Sequence, residues 1–359
     1  MFFYFSLLTV VGILSYFEIL GITDKQRKLF FLITCLVLFF LSFVRWETGT
    51  DWDEYISMFE RYSWENTEMS EPLFAFLSLV SKDLFSYYTF FLLIQAIIIF
   101  YFQSKSISDY SVYPMMSLFI LVGMYIGNIC FVRQTIAVSL TFYSIRYIVS
   151  RNFRMFLLFL LLAVGFHYTA VVFLPAWWIC NREFSRRKIM LCTFASLFLS
   201  SFFLLILTNL GEATGAIIQN KIMSYTGEGA ADESYVSPFM AVLKTILNRV
   251  VFYFLGFYLY DKISEEYPYF RIFFYLFCFG TILCFVTLPL SNILGRLCRY
   301  YDISQIILLP YFFAYLSSNF RKVLCFFFLF AVMALKLYIN VMTYEELFIP
   351  FKFLPLLYE

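Results

Sequence analysis

The sequence predicts an all-α integral membrane protein of about twelve transmembrane helices, on three observations. Only 14% of the 359 residues are charged, while 62% are hydrophobic and 23% aromatic, with 50 Phe and 28 Tyr. A soluble domain is roughly half apolar and about a quarter charged, so most of these side chains must meet lipid or each other rather than water. Long apolar runs recur throughout, which assigns residues 1–359 to a single polytopic membrane domain. Basic clusters interrupt those runs on alternate turns, as the retention of Lys and Arg in the cytoplasm requires.

The runs place spans near 2–22, 29–44, 86–103, 112–127, 133–149, 153–165, 168–180, 189–208, 239–260, 272–290, 303–317 and 323–341. The first lacks a basic leader and a small-residue cleavage site, so Phe2 to Ile22 is expected to be a retained span rather than a signal peptide. Cytoplasmic connections carry Lys25, Arg27 and Lys28; Lys105; Arg146, Arg151 and Arg154; Arg182, Arg186, Arg187 and Lys188; Lys262 and Arg271; and Arg321 with Lys322. Both ends of the chain then lie outside, together with the long loops 45–72 and 209–238. The second loop, with Gly227, Gly229, Ala230 and Ala231, reads as a lid over substrate or as a plain connector.

A net charge of +2, scattered along the chain, gives no nucleic-acid surface. The eight Cys lie almost all in apolar runs, with no CxxC and one His in the whole chain, so they are expected to be packed thiols rather than metal ligands. Phe153 to Cys180 is apolar with Arg clusters at both ends, and one tilted helix would put a cluster on the wrong side. Two half-length helices meeting at Gly165-Phe166-His167 keep both clusters on one face, because neither half reaches across ~30 Å of hydrocarbon. His167 is then expected at the turn of the hairpin, sunk below the outer surface, where only protein or water can satisfy irregular backbone.

Five arginines break the positive-inside pattern: Arg45, Arg133, Arg249, Arg296 and Arg299. An ionisable group held at membrane depth is costly and marks a candidate site. A guanidinium keeps its proton and matches phosphate oxygens two at a time, so several converging on one cavity describe a phosphate or diphosphate site. The bland alternative is that each snorkels or pairs with a nearby acid.

The first outer loop runs Arg45-Trp46-Glu47-Thr48-Gly49-Thr50-Asp51-Trp52-Asp53-Glu54-Tyr55 and later Glu71-Pro72-Leu73-Phe74. Trp46 and Trp52 among carboxylates and hydroxyls suit a sugar, whose C–H edges stack on rings, whereas Trp64, Trp177 and Trp178 read as an aromatic belt. Glu71-Pro72 also opens a helix with Pro in its first turn, and Leu73 to Leu84 is expected to lie along the interface. Histidine is the side chain that ordinarily titrates near neutrality, which makes His167 a candidate general base, with Asp51, Asp53 and Glu71 as competitors. Lys336 and Asn340, one helical turn apart, either contact the lipid or neutralise each other's surroundings.

The order Arg45…Gly49-Thr50-Asp51-Trp52…Tyr55, Glu71-Pro72-Leu73-Phe74, Arg133-Gln134…Ala137, His167 before a run ending in Pro175, and Arg296…Tyr300-Tyr301 resembles the EpsG family of Wzy-like polysaccharide polymerases. The resemblance runs from about residue 40 to 310, with Ile349-Pro350-Phe351-Lys352-Phe353 as a weaker echo. It implies a GT-C-like polymerase in the bacterial plasma membrane, with the active site facing the periplasm or exterior. It carries over Arg45, Asp51, Glu71, Arg133, His167 and one of Arg296 and Arg299, and adds Tyr300 and Tyr301 as sugar or lipid contacts. The implied partners are undecaprenyl-diphosphate-linked donor and acceptor oligosaccharides, with a flippase and a chain-length regulator of the same pathway. No cofactor or metal is called for.

On this reading the acceptor hydroxyl attacks the donor's anomeric carbon and undecaprenyl diphosphate leaves. Arg133, Arg249, Arg296 and Arg299 clamp diphosphates, Arg45 joins them or orients the acidic loop, and His167 or Asp51 accepts the proton. An O-antigen ligase shares this logic. A flippase calls for related halves and charges reachable from both sides, and an acyltransferase gives no reason for so many outer arginines.

Overall fold

The computed structural model describes residues 1–67, 71–126, 133–199, 202, 249–287 and 295–354. In chain order the helices are α1 (Phe2–Gly21), α2 (Asp24–Val44), α3 (Trp52–Arg61), α4 (Pro72–Phe85), α5 (Tyr88–Tyr110), α6 (Pro114–Tyr125), α7 (Arg133–Val149) and α8 (Phe153–Phe166). After a 3₁₀ segment, Tyr168–Phe173, come α9 (Ala176–Cys180), α10 (Arg186–Ser196), α11 (Val251–Glu266) and α12 (Phe270–Thr287). A second 3₁₀ segment, Arg296–Cys298, leads into α13 (Arg299–Asp302), α14 (Gln305–Tyr315), α15 (Asn319–Met342) and α16 (Glu345–Phe348). Two short strands, β1 (Arg45–Trp46) and β2 (Lys352–Phe353), pair antiparallel.

The all-α membrane architecture follows the apolar runs closely, but the count of twelve spans is not reached by helix length. Among the described residues five helices are long and apolar enough to cross a membrane: α1, α2, α5, α12 and α15. The other expected spans are shorter helices, or run into residues outside the described set, as do 189–208 and 239–260. The loop 209–238 also lies outside it.

The chain divides into two compact units, residues 1–174 with 306–359, and residues 175–305. In the first, α1 buries Tyr4, Leu8, Val11, Ser15, Glu18 and Ile19, a stripe at three- and four-residue spacing that packs on α6 and α15. Thr23 and Gln26 form a reciprocal capping box that starts α2. Connections assigned to one face do meet. Glu18, beside Arg27 at 3.8 Å, accepts from the Met116 amide at 3.1 Å. Asp109 pairs with both Lys105 and Arg146, and Lys322 donates to the Tyr113 hydroxyl at 3.3 Å. The second unit repeats the pattern, with Arg186 on Asp261 and Arg271 on Glu183.

The half-length hairpin forms where the sequence places it. The helix α8 stops at Phe166, His167 is extended (φ −159°, ψ 114°), and the chain turns back so that the Phe173 ring lies 6.3 Å from that of Phe156. The returning arm begins as a 3₁₀ segment rather than the expected α-helix. Thr169, Val171 and Val172 are β-branched and fit an α-helical turn poorly, and Pro175 follows.

The loop expected on the outer face folds as a packed layer. Trp52, Tyr55 and Phe59 of α3 and Tyr62 at its C-cap form an aromatic cluster with Phe74 of α4 and with Tyr88 and Phe91 of α5. The ends of α3 and α4 are tied by Lys82 Nζ on the carbonyls of Glu60 (2.7 Å) and Tyr62 (3.1 Å), and by Trp64 Nε1 on Asp83 (2.8 Å). Pro72 occupies the first turn of α4, as expected. At Gly165 of α8, an added Cβ would sit 2.6 Å from Leu73 Cδ1, so this glycine lets α8 reach α4. We predict that Gly165→Ala lowers stability by about 1–3 kcal/mol through overpacking, and that adding Leu73→Ala recovers part of it. Thermal midpoints of the single and double variants in detergent check this.

Candidate functional site

The first unit brings together three side chains widely separated in sequence. Glu71 precedes Pro72 at the N-cap of α4, Arg133 is the first residue of α7, and His167 occupies the break after α8. The Glu71 carboxylate bridges the other two. Its Oε1 lies 2.9 Å from His167 Nδ1, and its Oε2 accepts from Arg133 Nη1 at 2.9 Å. Side-chain exposures of 8% for Glu71, 19% for Arg133 and 25% for His167 make the carboxylate the most buried of the three.

Two residues of α3 complete the arrangement. The Tyr55 hydroxyl accepts from Arg133 Nε at 3.3 Å and donates to Asp51 Oδ2 at 3.4 Å. The guanidinium lies over the rings of Tyr55 (4.9 Å) and Phe74 (5.4 Å), a placement that favours a cation. The exposed Glu54 stands 3.7 Å from Arg133 Nη2. Asp51, Tyr55, Arg133, Glu71 and His167 thus form one connected chain. The sequence motif contained Tyr55, but sequence reasoning gave neither it nor Glu54 a role. The available signal was spacing, since Asp51, Glu54 and Tyr55 share one helical turn.

The electrostatics follow from these contacts. Burial pushes the Glu71 carboxyl up, but the His167 hydrogen bond and the Arg133 charge outweigh it and hold the group down, at about 2. In the neutral imidazole, a carboxylate facing Nδ1 makes that nitrogen the donor and leaves the lone pair on Nε2. Desolvation raises the Tyr55 hydroxyl to about 12, which keeps it protonated as a donor to Asp51.

The remaining predicted residues fall elsewhere. Arg45 is 2% exposed, donates to the carbonyls of Ser42 (3.2 Å) and Thr48 (2.6 Å), and lies 5.2 Å from the Trp52 ring centroid. That binds it to its own loop rather than leaving it open to a diphosphate. Trp52 is buried among aromatics, with Trp46 at 5.3 Å and Tyr88 at 5.2 Å, so the expectation of a sugar platform is met by a core residue. Lys336 is buried in the bundle, not on the lipid face, and Asn340 donates to the Met124 carbonyl at 3.2 Å instead of serving Lys336.

In the second unit, Arg249 is buried and donates to Asp302 Oδ2 at 2.6 Å and toward Thr281 Oγ1 at 3.4 Å. Gly280 makes room, since a Cβ there would lie 2.7 Å from Tyr301 Cβ and 3.1 Å from Asp302 Oδ1. Arg296 is exposed and Arg299 half-buried on the short helical turns beside it. Tyr300 and Tyr301 are fully buried, so their rings pack the interior rather than meet a sugar or lipid. Among the described residues no group of acids, Cys and His could hold a metal ion.

Two outcomes follow. The depressed Glu71 pKa contributes stability that is fully present above its ordinary value of 4.5 and is lost as pH falls toward about 2. The acid arm of the stability profile in that window is therefore expected to flatten in Glu71→Gln, as measured by thermal midpoint against pH. Asp302→Ala strands a buried guanidinium and is expected to destabilise by about 3–5 kcal/mol, seen as a large fall in the same midpoint.

No curated protein and no solved structure matches the chain. One family model does, described as the EpsG family and matching residues 28–353. The matched stretch contains Glu71, Arg133 and His167 in the first unit and Arg249, Arg296 and Arg299 in the second. The chain belongs to the EpsG family, whose members are Wzy-like polymerases.

Proposed function

We propose that this protein is a polysaccharide polymerase that joins undecaprenyl-diphosphate-linked oligosaccharide repeat units at the outer face of the bacterial plasma membrane. The observation that carries the reading is the Glu71 carboxylate shared between His167 and Arg133, which sets a proton acceptor beside a fixed cation. Family membership supplies the polymer chemistry, and the alternation of basic connections supports the sidedness.

The acceptor hydroxyl loses its proton to His167 Nε2 as its oxygen bonds to the donor's anomeric carbon. The bond from that carbon to the diphosphate breaks, and undecaprenyl diphosphate leaves with the electron pair. Glu71 does not take the proton. It fixes the imidazole's tautomer and orientation and stabilises the imidazolium. Arg133 commits one terminal nitrogen to Glu71 and its Nε to Tyr55, and among the described residues its Nη2 has the Glu54 carboxylate at 3.7 Å, beyond hydrogen-bond distance. A diphosphate oxygen displaces that exposed carboxylate and gains a charge-assisted hydrogen bond. Arg45 orients the acidic loop, and in the second unit Arg296 and Arg299 are the cations offered to a phosphate. No metal takes part.

The test is deletion of the gene in its own bacterium, with complementation by wild type and by His167→Ala, Glu71→Gln and Arg296→Ala, and gel resolution of the surface polysaccharide. Loss of a positioned base costs about 10²–10⁴-fold, so the His167 variant is expected to collapse the ladder to core plus one repeat unit while the protein remains in the membrane. The Glu71 and Arg296 variants are expected to shorten or abolish the ladder. Undiminished long chains from His167→Ala would remove it from the reaction. Loss of every repeat on deletion, with lipid-linked units accumulating, would point instead to a flippase or ligase.

A further inference from the structure

The segment 347–354 lies across the start of the acidic loop. Phe353 pairs with Arg45 and Lys352 with Trp46 in the two-stranded ladder. Beyond the ladder, the Leu354 amide donates to the Val44 carbonyl at 2.8 Å and the Gly49 amide donates to the Leu347 carbonyl at 2.9 Å. Lys352 adds its own amide on Thr48 Oγ1 at 3.3 Å and its ammonium on Glu47 Oε2 at 2.6 Å. The segment is itself moored to α1, where the Tyr4 hydroxyl donates to the Phe348 carbonyl at 2.7 Å and the Phe3 and Phe351 rings stack at 4.5 Å.

The gripped loop needs an external support. Glu47 (φ 41°) and Gly49 (φ 117°) both have positive φ, two in three residues. A non-glycine residue in that region persists only where its surroundings over-determine it. Every backbone constraint from the segment falls on residues 44–49. Within this stretch Arg45 donates to the Thr48 carbonyl and lies against Trp52, the first residue of α3. One turn further along α3 come Glu54 and Tyr55, the two residues that meet Arg133.

We propose that segment 347–354 is a positioning strap for the site. It holds the loop 44–49 in its strained conformation, and so sets where α3 presents Glu54 and Tyr55 to Arg133, with Lys352 as its principal positioning residue. The inference rests on the polymerase reading for its effect on chain extension, but its structural half stands apart from that reading.

The test uses the full chain in nanodiscs and in cells, with the variants Lys352→Glu, Glu47→Lys/Lys352→Glu and Leu354→Pro. Amide hydrogen exchange reports residues 47–60, with 153–166 as an internal reference. The Lys352–Glu47 pair is half exposed, so charge reversal is expected to speed exchange at 47–60 about threefold and to shorten the surface polymer, with the exchanged pair restoring both. Leu354→Pro removes a backbone donor and is expected to speed exchange at 47–60 by about tenfold or more, with the reference unchanged. Unchanged exchange at 47–60 in both single variants would overturn the strap. Faster exchange with full-length polymer would overturn its role in positioning the site. Failure of the polymerase reading would appear separately, as undiminished long chains from the gene deletion itself, and the exchange measurement would still decide whether the strap holds the loop.

Discussion

A carboxylate withdrawn from water must find compensating partners, and Glu71 has two of them at 2.9 Å. That requirement organises the first unit. It fixes the start of α4 against the break after α8 and the start of α7, three points far apart in the chain. Removing either partner would leave a largely buried charge half-compensated, which costs far more than the net worth of a surface pair. The same constraint explains why Gly165 carries no side chain. The two helices that bring Glu71 to His167 approach closely at Leu73, and nothing larger fits.

The two ionic centres differ in kind. Arg133 is partly exposed and lies between the buried Glu71 carboxylate and the exposed Glu54, over aromatic rings. Arg249 is enclosed, with Asp302 as its close partner and Thr281 beside it. The first can exchange a carboxylate for another anion without exposing a buried charge. The second cannot, and its ion pair is better suited to fixing the short turns that carry Arg296 and Arg299 than to meeting a substrate.

Much of this was legible before any coordinates. Apolar run length located the helices, basic spacing located their common ends, and the twin Arg clusters around Phe153 to Cys180 required a reversal at His167. Glu71-Pro72 announced the start of α4. Less legible were the contacts between distant segments. Nothing in Trp52 distinguishes a sugar platform from a core residue until Tyr88 is seen beside it, because both roles want a flat apolar ring next to polar neighbours. The burial of Tyr300 and Tyr301, and the loop contacts of Arg45 that favour one of its two sequence-level roles, were hidden for the same reason, since a motif gives residue types but not which way they face. Glu71 competed with His167 for the role of base until geometry put it behind the imidazole. The strand at Lys352 escaped notice because two residues are too few for a period-two pattern.

Under the proposed function, the shortness of α8 would bear on how a lipid-linked substrate reaches the site. Fourteen residues rise about 21 Å, well under the ~30 Å of hydrocarbon, so a helix that starts at one headgroup boundary ends inside the acyl layer. On that reading, a lipid-linked head group drawn to His167 and Arg133 at that depth would move down toward the protein while its tail stays in the leaflet. Lifting the tail out would expose it to water at ~0.8 kcal/mol per methylene, a cost this geometry does not impose. On the same proposal the hydrophilic glycan would depart the other way, so the two ends of the substrate would separate along the membrane normal as the chain grows.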